Sequence, residues 1–214
     1  MKYKNILFDL DGTLVDSSQG TVESIVYATE KMKWPTPGDA TLRAFIGPPL
    51  LESFIKLGKS QAEAEQAVKY YREYYQEKGM YENTVYPQIP ATLKALVQAG
   101  VSLYVATSKP EYFAKQIIQH IDMASYFTGV YGASMDNRRS QKGDVIHYGL
   151  TKAAIQAETS VTMMVGDRSH DIVGAKANDL SSVGVLYGFG DRQELAKAGA
   201  AHIIAQPSEL LTLF

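Results

Sequence analysis

Two aspartates stand at the end of the first apolar stretch of the sequence, in the segment ILFDLDGTL. Asp9 and Asp11 are two positions apart, and in an extended strand such side chains share one face, about 6.6 Å apart. Two carboxylates at this spacing suit a divalent cation and can take different roles, one as a nucleophile and one as an acid or base. Taken alone, the pattern is more typical of a polar strand end with a turn at Asp11-Gly12.

A hydroxyl pair and a lysine provide candidate anion ligands further along the chain. Thr107 and Ser108 end the apolar segment VSLYVATS, just before a predicted helix, where hydroxyl and N–H groups can bind an anion. Lys142, in SQKGDVI, stands at a predicted helix start, where its charge opposes the helix dipole at a cost of about 0.3–1 kcal/mol. An ordinary N-cap and a solvated lysine are the alternatives.

A second pair of acids lies in the segment MMVGDRSHDIVGA. Asp167 follows an apolar strand, and Asp171 comes one helical turn later, so the two side chains can face the same way. The alternative for Asp171 is an acid favoured by the helix dipole. We expect His170 to be exposed and incidental, and Arg138 and Arg139 to face solvent.

These positions converge on one edge of a predicted sheet, because the carboxyl ends of parallel strands form the crevice in open α/β folds. Four carboxylates indicate a hard cation with oxygen ligands, most simply Mg²⁺. The threonine, the lysine and the helix start indicate phosphate. The reaction class that follows is metal-assisted phosphoryl transfer.

Strands alternate with helices after Asn83, which predicts a parallel sheet covered on both sides. Apolar runs predict strands at 5–10, 101–106, 129–132, 161–165, 182–187 and 202–205. A helical block with a capping box at Ser60 and Glu63 follows the first strand. The predicted organisation is an α/β core of residues 1–16 and 83–214 with a helical insert of residues 17–82.

Composition excludes several other classes of protein. The 214 residues include 21 basic and 23 acidic side chains, a balance that argues against a nucleic-acid binder. Cysteine is absent, which excludes disulfides and thiolate nucleophiles. No apolar stretch has the length of a membrane span or a signal peptide core. We therefore expect a cytoplasmic protein without a membrane or nucleic-acid partner.

The motifs together resemble those of the haloacid dehalogenase superfamily, in the phosphoglycolate phosphatase-like subgroup with a helical cap after the first strand. FDLDGTLVDS resembles the first family motif, TSKP the second, Lys142 in SQKGDVI the third and GDRSHDIVGA the fourth. The resemblance covers essentially the whole chain. It implies a three-layer Rossmann-like core with a parallel sheet and an inserted cap domain.

The resemblance also implies catalytic and metal-binding roles. Asp9 would attack phosphorus and form an aspartyl-phosphate, while Asp11 would protonate the leaving oxygen and then activate water. Mg²⁺ would be bound by the carboxylates of Asp9 and Asp167 and by the backbone carbonyl of Asp11.

Phosphate-binding roles follow from the same resemblance. Thr107 and Lys142 would hold the phosphoryl oxygens, and Gly12 and Ser108 would offer backbone N–H groups. Asp171 would orient Lys142 or a metal-bound water.

In the predicted cap, Arg43 and the IGPPL turn (Ile46–Leu50) resemble the segment that faces the active site. Arg43 would meet a substrate anion, the alternative being a structural or solvated residue. Gln88, in VYPQIP, departs from relatives that more often have glycine at this hinge-side turn.

The function expected is Mg²⁺-dependent hydrolysis of a small phosphate monoester, whether phosphoglycolate, a nucleotide or a sugar phosphate. Asp11 argues against dehalogenation, since the dehalogenases of the superfamily lack this second acid. A phosphomutase and a non-catalytic phosphate-binding module are the alternatives. The sequence leaves the substrate and the oligomeric state open.

Overall fold

The structure is a computed structural model that describes residues 3–46, 50–136 and 138–213. The chain forms two compact units: a core unit, up to Asp16 and again from Val85 onward, and a helical unit, Ser17–Thr84. The predicted insert ends at residue 82, two positions before Thr84. That the helical unit acts as a cap stays a prediction.

The strands of the described chain are β1 (Asn5–Phe8), β2 (Val15–Asp16), β3 (Thr84–Val85), β4 (Ser102–Pro110), β5 (Gly129–Ala133), β6 (Thr162–Gly166), β7 (Ser181–Val185) and β8 (His202–Ile204). Six of them form one sheet in the order β5-β4-β1-β6-β7-β8, and β2 pairs with β3 in a two-stranded sheet. Every neighbouring pair in the larger sheet is parallel, as the alternation of strands and helices predicts.

The α-helices of the described chain are α1 (Ser18–Lys31), α2 (Asp39–Ala44), α3 (Leu50–Lys56), α4 (Gln61–Glu77), α5 (Ile89–Gln98), α6 (Glu111–His120), α7 (Lys142–Lys152), α8 (Ser169–Lys176) and α9 (Arg192–Ala198). Short 3₁₀ helices lie at Gly79–Tyr81, Ala124–Tyr126, Gln156–Val161 and Pro207–Leu213. α1 to α4 make up most of the helical unit, and α5 to α9 alternate with the strands of the core unit.

The centre of the sheet is β1, which pairs with β4 on one side and with β6 on the other. Leu7 belongs to an apolar cluster that includes Ile146 of α7 and Ala175 of α8. Ile6 and Phe8 point to the opposite face and are buried as well. Burial on both faces is characteristic of a parallel sheet between two helical layers, which is the predicted α/β class.

The helical unit has the predicted helix start. Ser60 and Glu63 form a capping box: the Glu63 N–H donates to Ser60 Oγ, and the Ser60 N–H donates to Glu63 Oε2 at 2.9 Å. Since these bonds satisfy N–H groups that have no partner within the helix, they fix the first turn of α4. The buried face of α4 consists of Ala64, Ala67, Tyr71 and Tyr75.

β4 and the last helix are among the elements that differ from their predicted form. β4 continues past the predicted end at residue 106 to Pro110, and its register with β5 shifts between Thr107 and Pro110. The last predicted helix is a 3₁₀ helix, Pro207–Leu213. None of the helices in the described ranges is long and apolar enough to cross a lipid bilayer.

Candidate active site

Asp9 and Asp11 lie in the loop that follows β1, which ends one residue before Asp9. The Leu10 N–H donates to Asp9 Oδ1 at 2.7 Å, and the Gly12 N–H donates to Val15 O at 2.8 Å as the chain turns. The two aspartates are therefore placed by a turn, and the strand-spacing argument made from the sequence does not apply to them. The polar strand end with a turn, considered as the alternative, is also present.

Gly12 allows this turn to approach a second strand end. Its φ is +80°, a conformation that glycine adopts without steric cost. A Cβ at Gly12 would lie 2.2 Å from Asp167 Oδ2, so a side chain there would displace that carboxylate. The Gly12 N–H is engaged by Val15 O, and its predicted contact with phosphate stays a prediction.

Lys142 connects the carboxylates that follow β1 and β6. It is the first residue of α7 and only 3% exposed. Its Nζ lies 2.8 Å from Asp9 Oδ1 and 2.8 Å from Asp171 Oδ1, and it donates to Ala106 O at 3.1 Å. Burial alone would lower the pKa of Lys142, but Asp171 and Asp9 outweigh burial and raise it, so the side chain is an ammonium.

Asp167 and Asp171 are both wholly buried. Asp167 follows β6 directly, and its Oδ2 accepts from the Phe189 N–H at 2.8 Å. Asp171 lies in the first turn of α8, where its Oδ2 accepts from the Arg168 N–H at 3.0 Å. Burial, and then the charges of Asp171 and Asp9, raise the pKa of Asp167 well above its usual range. Three buried carboxyl groups, those of Asp9, Asp167 and Asp171, therefore lie near the one buried ammonium of Lys142.

The donor set fits a hard divalent cation. Among the residues that the structure describes, the buried charged side chains are Asp9, Asp167, Asp171 and Lys142. Buried carboxylates are stable when they are paired or bind a metal, and oxygen donors suit Mg²⁺. Ligand atoms of Asp9, Asp171 and His170 also lie within 4.8 Å of one another, a different set from the one predicted.

Lys142 argues against a cation between Asp9 and Asp171. Its ammonium contacts an oxygen of each of these carboxylates, so a metal ion in the same place would face a positive charge at close range. His170, which was expected to be incidental, is partly exposed, with Nε2 3.9 Å from Asp171 Oδ1.

Thr107 and Ser108 lie in the last part of β4. Thr107 is buried, and its Oγ1 accepts from the Lys109 N–H at 3.2 Å, whereas Ser108 is exposed. Thr107 is thus at the same sheet edge as Lys142, which donates to the carbonyl of the preceding residue. The binding of phosphate by either hydroxyl residue stays a prediction.

Lys109 is a site residue that was not singled out from the sequence. Its Nζ lies 3.0 Å from Asp11 Oδ1, and its side chain is 11% exposed. The signal available was its place in TSKP, directly after the two hydroxyl residues. The direction of its side chain could not be predicted, because β4 departs from regular pairing between Thr107 and Pro110.

The residues predicted to face the site from the cap lie in the helical unit. Arg43 is exposed in the last turn of α2, and its contact with a substrate stays a prediction. Residues 47–49 of the predicted IGPPL turn lie outside the described residues.

The comparisons with known proteins agree with this geometry. The family model described as haloacid dehalogenase-like hydrolase matches residues 6–185, and the chain belongs to this family. A 5'-nucleotidase of Pseudomonas aeruginosa is 42% identical over 211 residues, which cover 98% of this chain and 95% of that protein. Tyrosine-protein kinase PtkA of Mycobacterium tuberculosis is 38% identical over 185 residues, which cover 86% of this chain and 62% of the kinase.

A solved structure gives the same result for the fold. The crystal structure of a predicted phosphatase from Clostridium acetobutylicum has a TM-score of 0.91 and 42% sequence identity, covering 100% of this chain and 98% of that one. The predicted superfamily and α/β fold are confirmed. The predicted enzyme class, a phosphoric monoester hydrolase, is confirmed by the family match and by these relatives.

Proposed function

We propose that this protein is a Mg²⁺-dependent phosphatase that hydrolyses a small phosphate monoester through an aspartyl-phosphate on Asp9. The observation that carries the proposal is the placement of charge. The buried charged groups of the described chain are three carboxylates and one ammonium, which meet at one sheet edge. A divalent cation would balance the excess, and a bound phosphate would be attracted to both cations.

We assign the carboxylates of Asp9 and Asp167 and the backbone carbonyl of Asp11 to Mg²⁺. Asp167 is held by the Phe189 N–H through Oδ2, and Thr13 Oγ1 lies 3.5 Å from Oδ1. When bound, Mg²⁺ would supply charge neutralisation and polarise the phosphoryl oxygens.

The proposed reaction has two displacements at phosphorus. An Asp9 oxygen attacks phosphorus, the bond from phosphorus to the ester oxygen breaks, and the Asp11 carboxyl gives that oxygen its proton, releasing an alcohol. The Asp11 carboxylate then takes a proton from water as the water oxygen attacks phosphorus. The bond from phosphorus to Asp9 breaks, inorganic phosphate leaves, and Asp11 is protonated again.

Lys142 makes the first displacement electrostatically feasible. Its ammonium, 2.8 Å from Asp9 Oδ1, offsets the repulsion between an anionic nucleophile and an anionic phosphate. Asp171 fixes Lys142 by a second contact of 2.8 Å. We assign Thr107 Oγ1 and the Ser108 N–H, at the end of the neighbouring strand, to the phosphoryl oxygens.

A nucleoside 5'-monophosphate is the first substrate to test, since the Pseudomonas relative, with 42% identity over nearly the whole chain, is named 5'-nucleotidase. Phosphoglycolate and sugar phosphates belong in the same panel. Arg43 of the helical unit is the proposed contact for a second anionic or polar group of the substrate.

The test is a phosphate-release assay over this panel with and without Mg²⁺. We expect release from at least one monoester with Mg²⁺, and almost none after EDTA treatment. Asp9→Asn should abolish turnover, because it removes the attacking carboxylate. The variant should still be folded and should show a cooperative melting transition. Asp144→Asn, at an exposed position of α7, is the matched control and should turn over normally.

Three outcomes would contradict the proposal. Isomerisation of a sugar phosphate without net release would indicate a phosphomutase. Transfer of the phosphoryl group to protein tyrosine would indicate the activity for which the mycobacterial relative is named. Tight binding of phosphate esters without turnover, across a range of pH, would indicate a binding module.

A further inference from the structure

We propose that Lys109 is a positioning residue for Asp11, the proposed acid/base, and that it holds the Asp11 carboxyl through an ion pair. Lys109 lies in the segment TSKP but is not among the residues to which the family resemblance assigns a role. The inference rests on the proposed function and adds a residue to it. The Lys109 Nζ lies 3.0 Å from Asp11 Oδ1. Each acid of the Asp-x-Asp pair therefore has its own lysine, because Lys142 contacts Asp9.

The backbone of β4 directs Lys109 to this place. The register between β4 and β5 shifts between Thr107 and Pro110, and such irregularities commonly re-aim a side chain near an active site. The Lys109 N–H donates to Thr107 Oγ1 at 3.2 Å, which closes the irregular segment on itself.

Gly132 of β5 fixes the other side of the same segment. A Cβ at Gly132 would lie 2.6 Å from the Lys109 carbonyl oxygen and 2.6 Å from Glu111 Cα. Only a residue without a side chain allows β5 to pack this closely against the irregular part of β4. The position of Lys109 is thus imposed by two strands.

Burial makes the pair stronger than an ordinary surface ion pair. The side chains of Lys109 and Asp11 are 11% and 22% exposed, whereas in the nearby pair of Lys115 and Glu111 the lysine is 58% exposed. Solvent and salt screen a partly buried pair less, so its contact restricts the carboxyl more effectively. Lys115 supplies a control lysine from the adjoining helix α6.

The ion pair has a specific consequence for the proposed reaction. When Asp11 gives its proton to the leaving oxygen, negative charge develops on its carboxyl, and the Lys109 ammonium stabilises that charge in place. The transferred proton passes from Asp11 to the leaving oxygen, and the Lys109 ammonium gives up none of its own protons. The benefit is greatest for esters whose leaving group must be protonated.

Leaving-group dependence is the measurement that separates this role from a structural one. For Lys109→Met we expect kcat for the panel monoester that the wild type hydrolyses fastest to fall by about 10- to 100-fold, which is part of the roughly 10²- to 10⁴-fold that general-acid catalysis contributes. The kcat for p-nitrophenyl phosphate, whose leaving group departs without a proton, should fall by less than about threefold. Lys109→Arg should recover part of the lost kcat, and Lys115→Met should leave kcat unchanged for both substrates.

A double-mutant cycle with Asp11→Asn tests whether Lys109 acts through Asp11. Adding Lys109→Met to Asp11→Asn should cause no further loss, because the partner carboxylate is already absent. Equal losses for both esters, or a further loss in the double variant, would overturn the role of Lys109 while leaving the proposed function intact. If the wild-type protein releases phosphate from none of the monoesters of the panel, the proposed function itself fails, and this inference fails with it.

Discussion

At the scale of single residues, Lys142 is the side chain on which the stability of the site depends. Lys142→Met would leave Asp9 and Asp171 buried without their shared ammonium. Breaking a buried pair in this way costs about 3–5 kcal/mol, and we expect a loss of this size in the free energy of unfolding, measured with urea. Lys115→Met should cost less than about 0.5 kcal/mol, because Lys115 is exposed. Equal stability of the two variants would contradict this assignment.

Gln88 shows why a glycine suits the turn before α5. Its φ is +70°, in the left-handed region that costs a side-chain-bearing residue energy. The Gln88 amide offsets this cost by donating to Gln206 Oε1 at 3.1 Å and accepting from the Ser208 N–H at 3.4 Å.

The strain at position 88 can be isolated by comparing two variants. Gln88→Ala and Gln88→Gly both lose the side-chain hydrogen bonds, but only alanine keeps a Cβ in the left-handed conformation. We expect the glycine variant to be more stable, with a free energy of unfolding about 1 kcal/mol larger than that of the alanine variant, as measured with urea. An alanine variant as stable as the glycine variant would show that the turn relaxes without strain.

At the scale of elements, the loop that follows β7 holds the Asp167 carboxylate through a backbone hydrogen bond. The Phe189 N–H donates to Asp167 Oδ2, and a Cβ at Gly190 would lie 1.9 Å from the Asp167 carbonyl oxygen. Gly190→Ala should therefore displace the loop, destabilise the fold by about 1–3 kcal/mol and weaken Mg²⁺ binding measured by calorimetry.

Gly143→Ala is the matched control for the loop variant. A Cβ at Gly143 would meet nothing closer than 3.9 Å, and alanine favours the helical conformation of α7. We expect unchanged Mg²⁺ affinity and a stability equal to or above that of the wild type. Weakened Mg²⁺ binding in both variants would show that the effect is not specific to the loop.

The junction of α8 and α9 provides a pH-dependent element. Glu194 accepts from the Ser169 N–H at 2.7 Å and from Arg168 Nε at 3.0 Å. Partial burial alone would raise the pKa of Glu194, but these donors lower it below the ordinary 4.5. A carboxyl whose pKa is lowered in the folded state stabilises the protein at pH values above the pKa that it has in the unfolded state. This contribution is lost as the pH falls through the pKa of the folded state.

Glu194→Gln should therefore lower the melting temperature near neutral pH and have a smaller effect in acid. The comparison is wild type against variant at about pH 7 and at the lowest pH at which both proteins stay folded, since the wild-type carboxyl is protonated as pH falls through its lowered pKa. A difference that stays the same at both values would mean that Glu194 contributes by packing and not by charge.

At the scale of the whole molecule, the topology predicts a gradient of stability across the sheet. β1 is fully buried and paired on both sides, whereas β8 lies at the sheet edge and has three residues, two of them half-buried. We expect amides of β1 to exchange with solvent only on global unfolding and those of β8 to exchange sooner. Hydrogen exchange followed by mass spectrometry measures this, and faster exchange in β1 would contradict it.

The elements and acids of the core unit could be predicted from the sequence because each depends on a local pattern. Apolar runs predict strands, and the acids just after them fall at one edge of a parallel sheet. The contact of Lys109 with Asp11 could not be predicted, since it depends on irregular pairing between β4 and β5. The Phe189 N–H was also missed, because a backbone donor has no signature in the sequence.

Arg139 shows the same limit for a side chain. It was expected to face solvent like Arg138, but its Nε donates to Gly132 O at 2.9 Å and its guanidinium lies 3.6 Å from the Tyr148 ring centroid. A planar cation stacks on an aromatic ring wherever the fold brings one near, and residue type alone does not predict where that happens.

The central position of β1 has a consequence for biosynthesis. Its pairing partners are β4, which begins at Ser102, and β6, which ends at Gly166, so most of the chain must be made before the strand has both neighbours. Contacts between distant parts of a chain form slowly, and unpaired apolar strands aggregate. While the polypeptide is still on the ribosome, we expect NILF to be an exposed apolar segment, and Asp9 beside it has no ammonium partner until translation has passed Lys142.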